Sequence, residues 1–368
     1  MPPVEWTVVG AGFTGATAAR LLAERGFQVR VVEARSHIGG NAFDVASDAG
    51  VFRHVYGPHL FHTSSQRVVE FLTPYADWMP YRHRVIGTYG GLRFPLPPNF
   101  ALLDAVLGPR SDAAKKALSA LYAKGSRVPL HELEASDSPE VREAAEVVRG
   151  IVFTTYTKKM WGPHAEELMA SAQARVPVIV GYGEGYFTDS FQALPREGYT
   201  ELFRRILEHP RIAVELGVRF EIHDVSRVSS VLFTGPLDAL LGYELGVLPY
   251  RSIRFAESGG VEPFVDAFTV NYNDDSRPET RATDMALTVG GGVARTIVVS
   301  ETPEEHRPGE NEPLYPVPAQ KWRDLHALYL DRARSLFPEL VVAGRMGRYQ
   351  YYDMDQACAT AIRLASAA

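Results

Sequence analysis

Apolar residues at Trp6, Val8 and Val9 run into Gly10, and from Phe13 to Leu22 apolar positions recur every three or four residues. A second apolar run, Phe27 to Val32, ends on Glu33. This change of period from two to 3.6 and back predicts strand, helix, strand. Arg82 to Phe94 alternates about Gly90-Gly91 and predicts a hairpin, closed by Pro95, Pro97 and Pro98. From about residue 100 the pattern turns helical: Ala101 to Leu107, Ala113 to Tyr122, then Val141, Ala144, Ala145, Val148 and Val152, with a polar link from Glu134 to Pro139. Strands and turns return at Val176. A helix is predicted over Tyr199–Leu207, a strand around Ala213–Leu216 and a buried strand at Val231–Phe233. Leu248 to Val299 alternates as an antiparallel sheet would, including Ala267–Tyr272. Lys321–Leu336 reads as a long amphipathic helix, followed by a buried strand from Leu340 and a last helix from about Asp355.

The first turn carries glycines at 10, 12 and 15. In a strand–turn–helix unit, Gly10 permits the tight turn, Gly12 lets backbone approach a pyrophosphate, and Gly15 lets helix pack on strand. The helix N-terminus aims unpaired N–H groups at phosphate. Glu33 is placed to accept from a ribose hydroxyl, and an acid there disfavours a 2′-phosphate. Gly39-Gly40, soon after that acid, reads equally as an ordinary glycine loop or as backbone passing close to a longer cofactor, as in flavoproteins. The loop Val51–Thr63 holds His54, His59 and His62 among aromatics. His59 and His62 lack a third metal ligand nearby in sequence, so a metal pair is disfavoured. Flat, polar-edged rings against a flat cofactor are the simpler reading.

At 368 residues the chain can bury a full core, as two or three domains or one elaborated one. Its 46% hydrophobic and 22% charged residues are ordinary for a soluble protein. A net charge of −6 without a basic run argues against nucleic acid and acidic membranes as partners, so any anion site must be built locally. No apolar run approaches the ~20 residues that span a bilayer, and the first strand leaves no room for a signal peptide. The lone Cys358 excludes an internal disulfide, fits a reducing cytoplasm and lies in an apolar helical pattern as a core residue. A cytoplasmic α/β protein is expected.

Long and compositionally odd stretches then point to one family: G-A-G-F-T-G, H-I-G-G-N, Y-G-P-H-L-F-H-T, Y-T-K-K-M-W-G, R-V-P-V, Y-F-T-D-S-F-Q-A-L-P-R-E-G-Y-T, F-T-G-P-L-D, L-P-Y-R-S-I-R-F, Y-P-V-P and G-R-M-G-R-Y-Q-Y-Y-D-M-D. Almost end to end the chain resembles the UDP-galactopyranose mutases, flavoenzymes that interconvert pyranose and furanose forms of a nucleotide-linked galactose. The resemblance implies an isomerase of glycan or cell-wall biosynthesis. It implies a discontinuous Rossmann-like FAD-binding domain (residues 1–76, 195–245 and 305–368) and a helical insertion domain with a mobile lid (100–172). An antiparallel sheet domain takes 77–99, 173–194 and 246–304. In the implied non-redox reaction, N5 of reduced FAD attacks the anomeric carbon, expels UDP and forms a flavin N5–sugar adduct. The sugar opens and recloses through a different hydroxyl, and UDP returns. An external reductant such as NAD(P)H or a flavin reductase is needed, and a homodimer is left open.

The family's motifs assign residues in turn. Arg175 and Arg281 stand where it places diphosphate-binding arginines, which suit a leaving group that gains charge because a guanidinium holds phosphate oxygens bidentately. Losing one is expected to raise the barrier by ~3–4 kcal/mol. Tyr156, Tyr186, Tyr315 and Tyr351 offer hydroxyls without net charge. Phe153 and Tyr156 face a uracil; Thr157 and Asn271 join the substrate set; Trp161 lies by the sugar on the lid, or serves as a core tryptophan. His59 and His62 are grouped with the catalytic residues beside the isoalloxazine. The cofactor set is Gly10, Gly12, Phe13, Thr14, Gly15, Glu33, Ala34, Arg35, Gly39, Gly40, Asn41, His59, Leu60, Gly344, Arg345, Tyr352, Asp353 and Met354. Asp353-Met354-Asp355 imitates a glycosyltransferase metal motif but precedes a helix, and no metal is expected.

Four departures bear on substrate. Met160 replaces the family's usual glutamine, Ile179 replaces an arginine, Leu314 replaces a tyrosine, and residues 282–292 lack the usual charged, histidine-bearing segment. Each makes the site less polar, so a deoxy or N-acetylated sugar, or another base, is open beside UDP-galactose. An amine-oxidase-like FAD oxidoreductase and a non-catalytic binding homologue are the alternative readings.

Overall fold

The computed structural model describes residues 5–173, 176–225 and 230–367. A five-stranded parallel sheet runs in the order Ile212–Leu216, Gln28–Glu33, Glu5–Val9, Ser230–Phe233, Leu340–Val342. Glu5–Val9 sits at its centre, and the helix Phe13–Glu24 leaves its carboxyl end. That helix buries small residues, Ala16, Ala18, Ala19 and Ala23, so it lies close on the sheet and against the C-terminal helix Met354–Ala367. Gly15 is required here, because a Cβ would sit 1.8 Å from the Gly10 carbonyl oxygen. Cys358 is buried in the same interface, with the Thr17 hydroxyl 3.5 Å from its sulfur. Burial pushes that thiol up to about 12, which keeps it an unreactive core group.

A seven-stranded sheet follows the order Tyr315–Pro316, Tyr250–Val261, Thr296–Glu305, Arg281–Asp284, Thr269–Tyr272, Val85–Tyr89, Leu92–Leu96. Its pairings are antiparallel except that Thr269–Tyr272 runs parallel to Val85–Tyr89, so the sheet is mixed. Alternation along a strand reports which face is buried, not the direction of its neighbour, and these two strands are far apart in sequence. The hairpin Val85–Tyr89/Leu92–Leu96 forms about the glycine pair, but Pro95 pairs with Ile86 inside the second strand instead of closing it, as an edge strand permits. A three-stranded antiparallel sheet, Phe61–Thr63, Phe191–Pro195 and Trp78–Pro80, bridges the two larger sheets.

The helical segment comprises Phe100–Leu107, Ser111–Leu121, Leu130–Glu134, Pro139–Val148, Thr155–Trp161 and Ala165–Gln173. The first four share an apolar core with the hairpin residues Val85, Phe94 and Leu96, while Trp161, Ala165 and Leu168 cluster with Val317 and Ala319. Two starts are side-chain capped, by Asn99 accepting from the Ala101 amide and by Ser138 accepting from the Val141 amide. Each cap contributes ~1 kcal/mol. Between Pro139–Val148 and Thr155–Trp161 the chain makes one π-helical turn, Arg149–Thr154. Such a turn resets the helix face, and both Phe153 and Tyr156 border the same cavity.

Candidate active site

A cavity of about 720 Å³ opens where the parallel sheet, the mixed sheet and the helical segment meet. Its floor is the loop Gly57–His62. His59 Nδ1 lies 2.8 Å from the Gly57 carbonyl and therefore donates to it, leaving Nε2 as an acceptor. The His59 amide donates to His54 Nδ1 at 3.0 Å. Burial pushes both rings below the usual histidine range, to about 4 for His54 and about 3 for His59, so each stays neutral near pH 7. His62 borders the cavity with Nδ1 2.8 Å from Asp189 Oδ2, and Leu60, Asn41, Asp353 and Met354 complete this side.

Opposite lies Arg281, on the strand Arg281–Asp284. Antiparallel pairing puts Glu301 directly across from it, and its Nε donates to Glu301 Oε1 at 2.7 Å. Burial is the largest single influence and opposes the Arg281 charge, but Glu301 together with Tyr156 and Tyr315 more than offsets it and raises the guanidinium pKa well above its usual value. Its terminal amines have no protein acceptor among the described residues. Tyr156, Tyr186, Tyr315 and Tyr351 border the cavity around it. Burial raises the Tyr156 pKa, so its hydroxyl stays neutral. Tyr315 and Tyr351 stack at 6.1 Å and 11°. Thr157, Trp161, Phe153 and Asn271 also border the cavity, and the buried Asn271 Oδ1 has no hydrogen-bond donor among the described residues. Trp161 is only 8% exposed and clusters with Leu168, Val317 and Ala319, a core tryptophan that also borders the cavity. Met160 and Leu314 add apolar surface. Arg175 lies outside the described residues.

The dinucleotide cradle is continuous with this floor. Gly12 and Gly40 approach so closely that a Cβ on Gly40 would meet Gly12 Cα at 2.9 Å, and Gly40 has φ +56°. The helix Phe13–Glu24 has no side-chain cap, so its first amides are free for a phosphate. Glu33 is buried and accepts from the Ala11 amide at 2.8 Å and the Arg35 amide at 2.9 Å. Each carboxylate oxygen keeps a lone pair for a ribose hydroxyl. These residues fit a dinucleotide.

Some expected cofactor contacts face elsewhere. The Phe13 ring packs into the core, 4.8 Å from Phe203, and Thr14 is buried with its hydroxyl 3.4 Å from the Ala357 carbonyl. Only their backbone remains for a ligand. Arg345 borders the cavity, but its guanidinium donates to the Leu314 and Tyr352 carbonyls at 3.3 and 2.7 Å, tying two loops together. Tyr352 contributes that carbonyl. Arg35 lies 4.2 Å over the Tyr56 ring, donates to Asn41 Oδ1 at 3.0 Å and pairs with Glu312. Ala34 and Gly39 flank the cradle, and Gly344, with φ +77°, packs against Thr234.

Three supporting residues escape a reading of motifs alone. Glu301 becomes visible only once strand register is known. Lys159 Nζ contacts the carbonyls of Tyr272, Asp274, Arg277 and Glu279 at 2.7, 3.0, 3.4 and 2.8 Å, pinning the Thr155–Trp161 helix to a turn of the mixed sheet. Arg251 caps that helix's end through the Met160 carbonyl at 2.7 Å. Two basic residues inside Y-T-K-K-M-W-G and L-P-Y-R were the available signal. Among the described residues no group of His, Cys, Asp or Glu is arranged to hold a metal, and no helix is long and apolar enough to cross a membrane.

Known proteins resemble this chain in sequence and in fold. Residues 8–74 match an NAD(P)-binding Rossmann-like domain, and residues 151–351 match the UDP-galactopyranose mutase family model. A probable UDP-galactopyranose mutase of Klebsiella pneumoniae is 33% identical over 97% of this chain and 93% of its own length. A dTDP-fucopyranose mutase of Escherichia coli is 31% identical over 97% and 96%. Among solved structures, a reduced UDP-galactopyranose mutase superposes with a TM-score of 0.69 at 15% identity, covering 100% of this chain and 94% of that one. A putrescine oxidase bound to putrescine reaches 0.54 at 14%, over 100% and 99%, and shares the fold alone. With its nearly full-length relatives and the matching half of its length that carries Arg281 and the tyrosines, the chain belongs to the UDP-galactopyranose mutase family.

Proposed function

We propose that this protein interconverts the pyranose and furanose forms of a nucleotide-linked hexose, with reduced FAD in its dinucleotide cradle. The observation that carries the reading is Arg281. Its Nε is held by a buried carboxylate while its terminal amines are left for a cavity lined by four tyrosines. A part-buried cation with four unused N–H donors beside tyrosine side chains suits a nucleoside diphosphate, whose charge grows as its bond to the sugar breaks.

Bound reduced FAD would supply a nucleophilic nitrogen for the anomeric carbon. Every other contribution comes from the chain. Gly10, Gly12, Gly40 and the uncapped helix amides hold the cofactor pyrophosphate, and Glu33 its ribose. Arg281 keeps the departed diphosphate within reach for the return step, with Arg175 as its proposed partner. Phe153 and Tyr156 flank the base, Asn271 Oδ1 accepts from a sugar hydroxyl, and Trp161 excludes water from the closed end. Electrons come from an external reductant, NAD(P)H or a flavin reductase.

UDP-galactose and dTDP-fucose are the substrates named for relatives of nearly equal identity, and Met160 and Leu314 favour the less hydroxylated sugar. Incubating dithionite-reduced protein with UDP- and dTDP-hexoses and resolving the products chromatographically tests the reading. Furanose product that requires reduction supports it. Peroxide release with an amine and no furanose favours the oxidase alternative, and binding without turnover favours a non-catalytic homologue.

A further inference from the structure

His62 is held on several sides. On the strand Phe61–Thr63 it pairs across the ladder with Gln192, whose side-chain amide donates to the Asp189 carbonyl at 2.9 Å. The turn that carries Asp189 is thus fixed by the residue opposite the histidine. From that turn, Asp189 Oδ2 reaches His62 Nδ1 at 2.8 Å, and Oδ1 accepts from the Ser64 hydroxyl at 2.9 Å. The Phe187 ring lies flat on the imidazole at 3.7 Å and 17°. Beyond Phe187 stands His83, which burial pushes down to about 3 and keeps neutral. Asp355, whose Oδ2 accepts from the Thr63 hydroxyl at 3.0 Å, is a further acid that interacts with His62.

An ionised carboxylate only accepts, so Nδ1 must carry the proton and Nε2 is the nitrogen left for the cavity that His62 borders. We propose that Asp189 is a positioning residue that holds His62 so that Nε2 moves the proton which the ring change requires. This rests on the mutase reading. Conversion between ring forms breaks the bond from the anomeric carbon to one ring oxygen and forms a bond to another hydroxyl oxygen. The leaving oxygen gains a proton and the closing oxygen loses one, with no net change. As imidazolium, His62 gives its Nε2 proton to the leaving oxygen. As imidazole, it takes the proton of the closing hydroxyl, and Asp189 balances the charge in between.

The test is Asp189→Asn in the flavin-loaded, reduced protein, with Ser64→Ala as the control that spares the carboxylate–imidazole pair. The asparagine amide can donate to Nδ1 and so permits the opposite tautomer. Nitrogen NMR of labelled histidine at alkaline pH should give the Nδ1–H form for wild type and Ser64→Ala, and a shift toward Nε2–H in Asp189→Asn. Turnover should fall about 100-fold in Asp189→Asn, with KM changed about twofold or less. An Nε2–H ring in wild type, or an Asp189→Asn kcat within about threefold of wild type, overturns the proposal while leaving the mutase reading standing. Absence of mutase turnover in wild type overturns the catalytic half together with that reading.

Discussion

Arg281 illustrates how one side chain acquires a function from its neighbour across a strand. With Glu301 at 2.7 Å and almost fully buried, the guanidinium is fixed at Nε and its two amines are aimed for an anion. Arg281→Ala should lower kcat/KM by 10²–10³, about 3–4 kcal/mol, in steady-state assays of the reduced protein. It also leaves Glu301 buried without its partner, so unfolding stability should fall by about 3 kcal/mol in denaturant titration. A variant that loses activity with stability intact would show that Glu301 is served by other groups. The buried histidines give a second prediction. His54 and His83 have pKa values near 4 and 3 in the fold, below the ordinary 6.5. A depressed base costs nothing above its unfolded pKa. As pH falls below 6.5 the unfolded chain binds protons that the fold refuses, and stability is lost until the folded pKa is reached. Each should cost roughly 1–2 kcal/mol by pH 5, visible as a falling urea midpoint between pH 7 and pH 5. A flat midpoint would mean these rings are charged in the folded protein.

At the scale of elements, the helix Thr155–Trp161 carries Tyr156, Thr157 and Trp161, and two cations hold it in place. Lys159 reaches four carbonyls of the sheet turn, and Arg251 binds the helix's last carbonyls. Lys159→Met keeps the apolar stem and removes every one of those bonds. Nucleotide affinity, read by calorimetry, should weaken about 10-fold, the loss expected from ~1.4 kcal/mol, and proteolysis near residue 160 should accelerate. Unchanged affinity would assign the lysine to surface solvation. The glycine cradle makes the complementary prediction. Gly40→Ala must push Gly12 away from 2.9 Å and strain a φ of +56°, so the purified variant should retain well under half the wild-type flavin by its visible absorbance. Full occupancy would place the cofactor elsewhere.

Across the whole molecule, periodicity made the elements legible and topology made the site. The helix Tyr199–Leu207 begins and ends where the sequence pattern predicts, and the hairpin about Gly90-Gly91 forms as alternation requires. The glycine turn and Glu33 were readable because a nucleotide cradle needs those residue types at that spacing. Pairing across distant strands was not readable. Neither the parallel neighbour of Thr269–Tyr272 nor the Arg281–Glu301 register leaves a local trace, because alternation is identical in either direction. Side-chain direction was equally hidden: Phe13 follows the glycine motif yet turns into the core, and Arg345 gives two of its donors to carbonyls while still bordering the cavity. The cavity exists only because three layers converge on it. The most direct measurement of the central claim is product analysis after the reduced, flavin-loaded protein meets UDP-galactopyranose and dTDP-fucopyranose. The account predicts furanose product from at least one of them, absent in oxidised protein and reduced 10²–10³-fold in Arg281→Ala. Reduced protein that binds these nucleotide sugars and converts neither would contradict it.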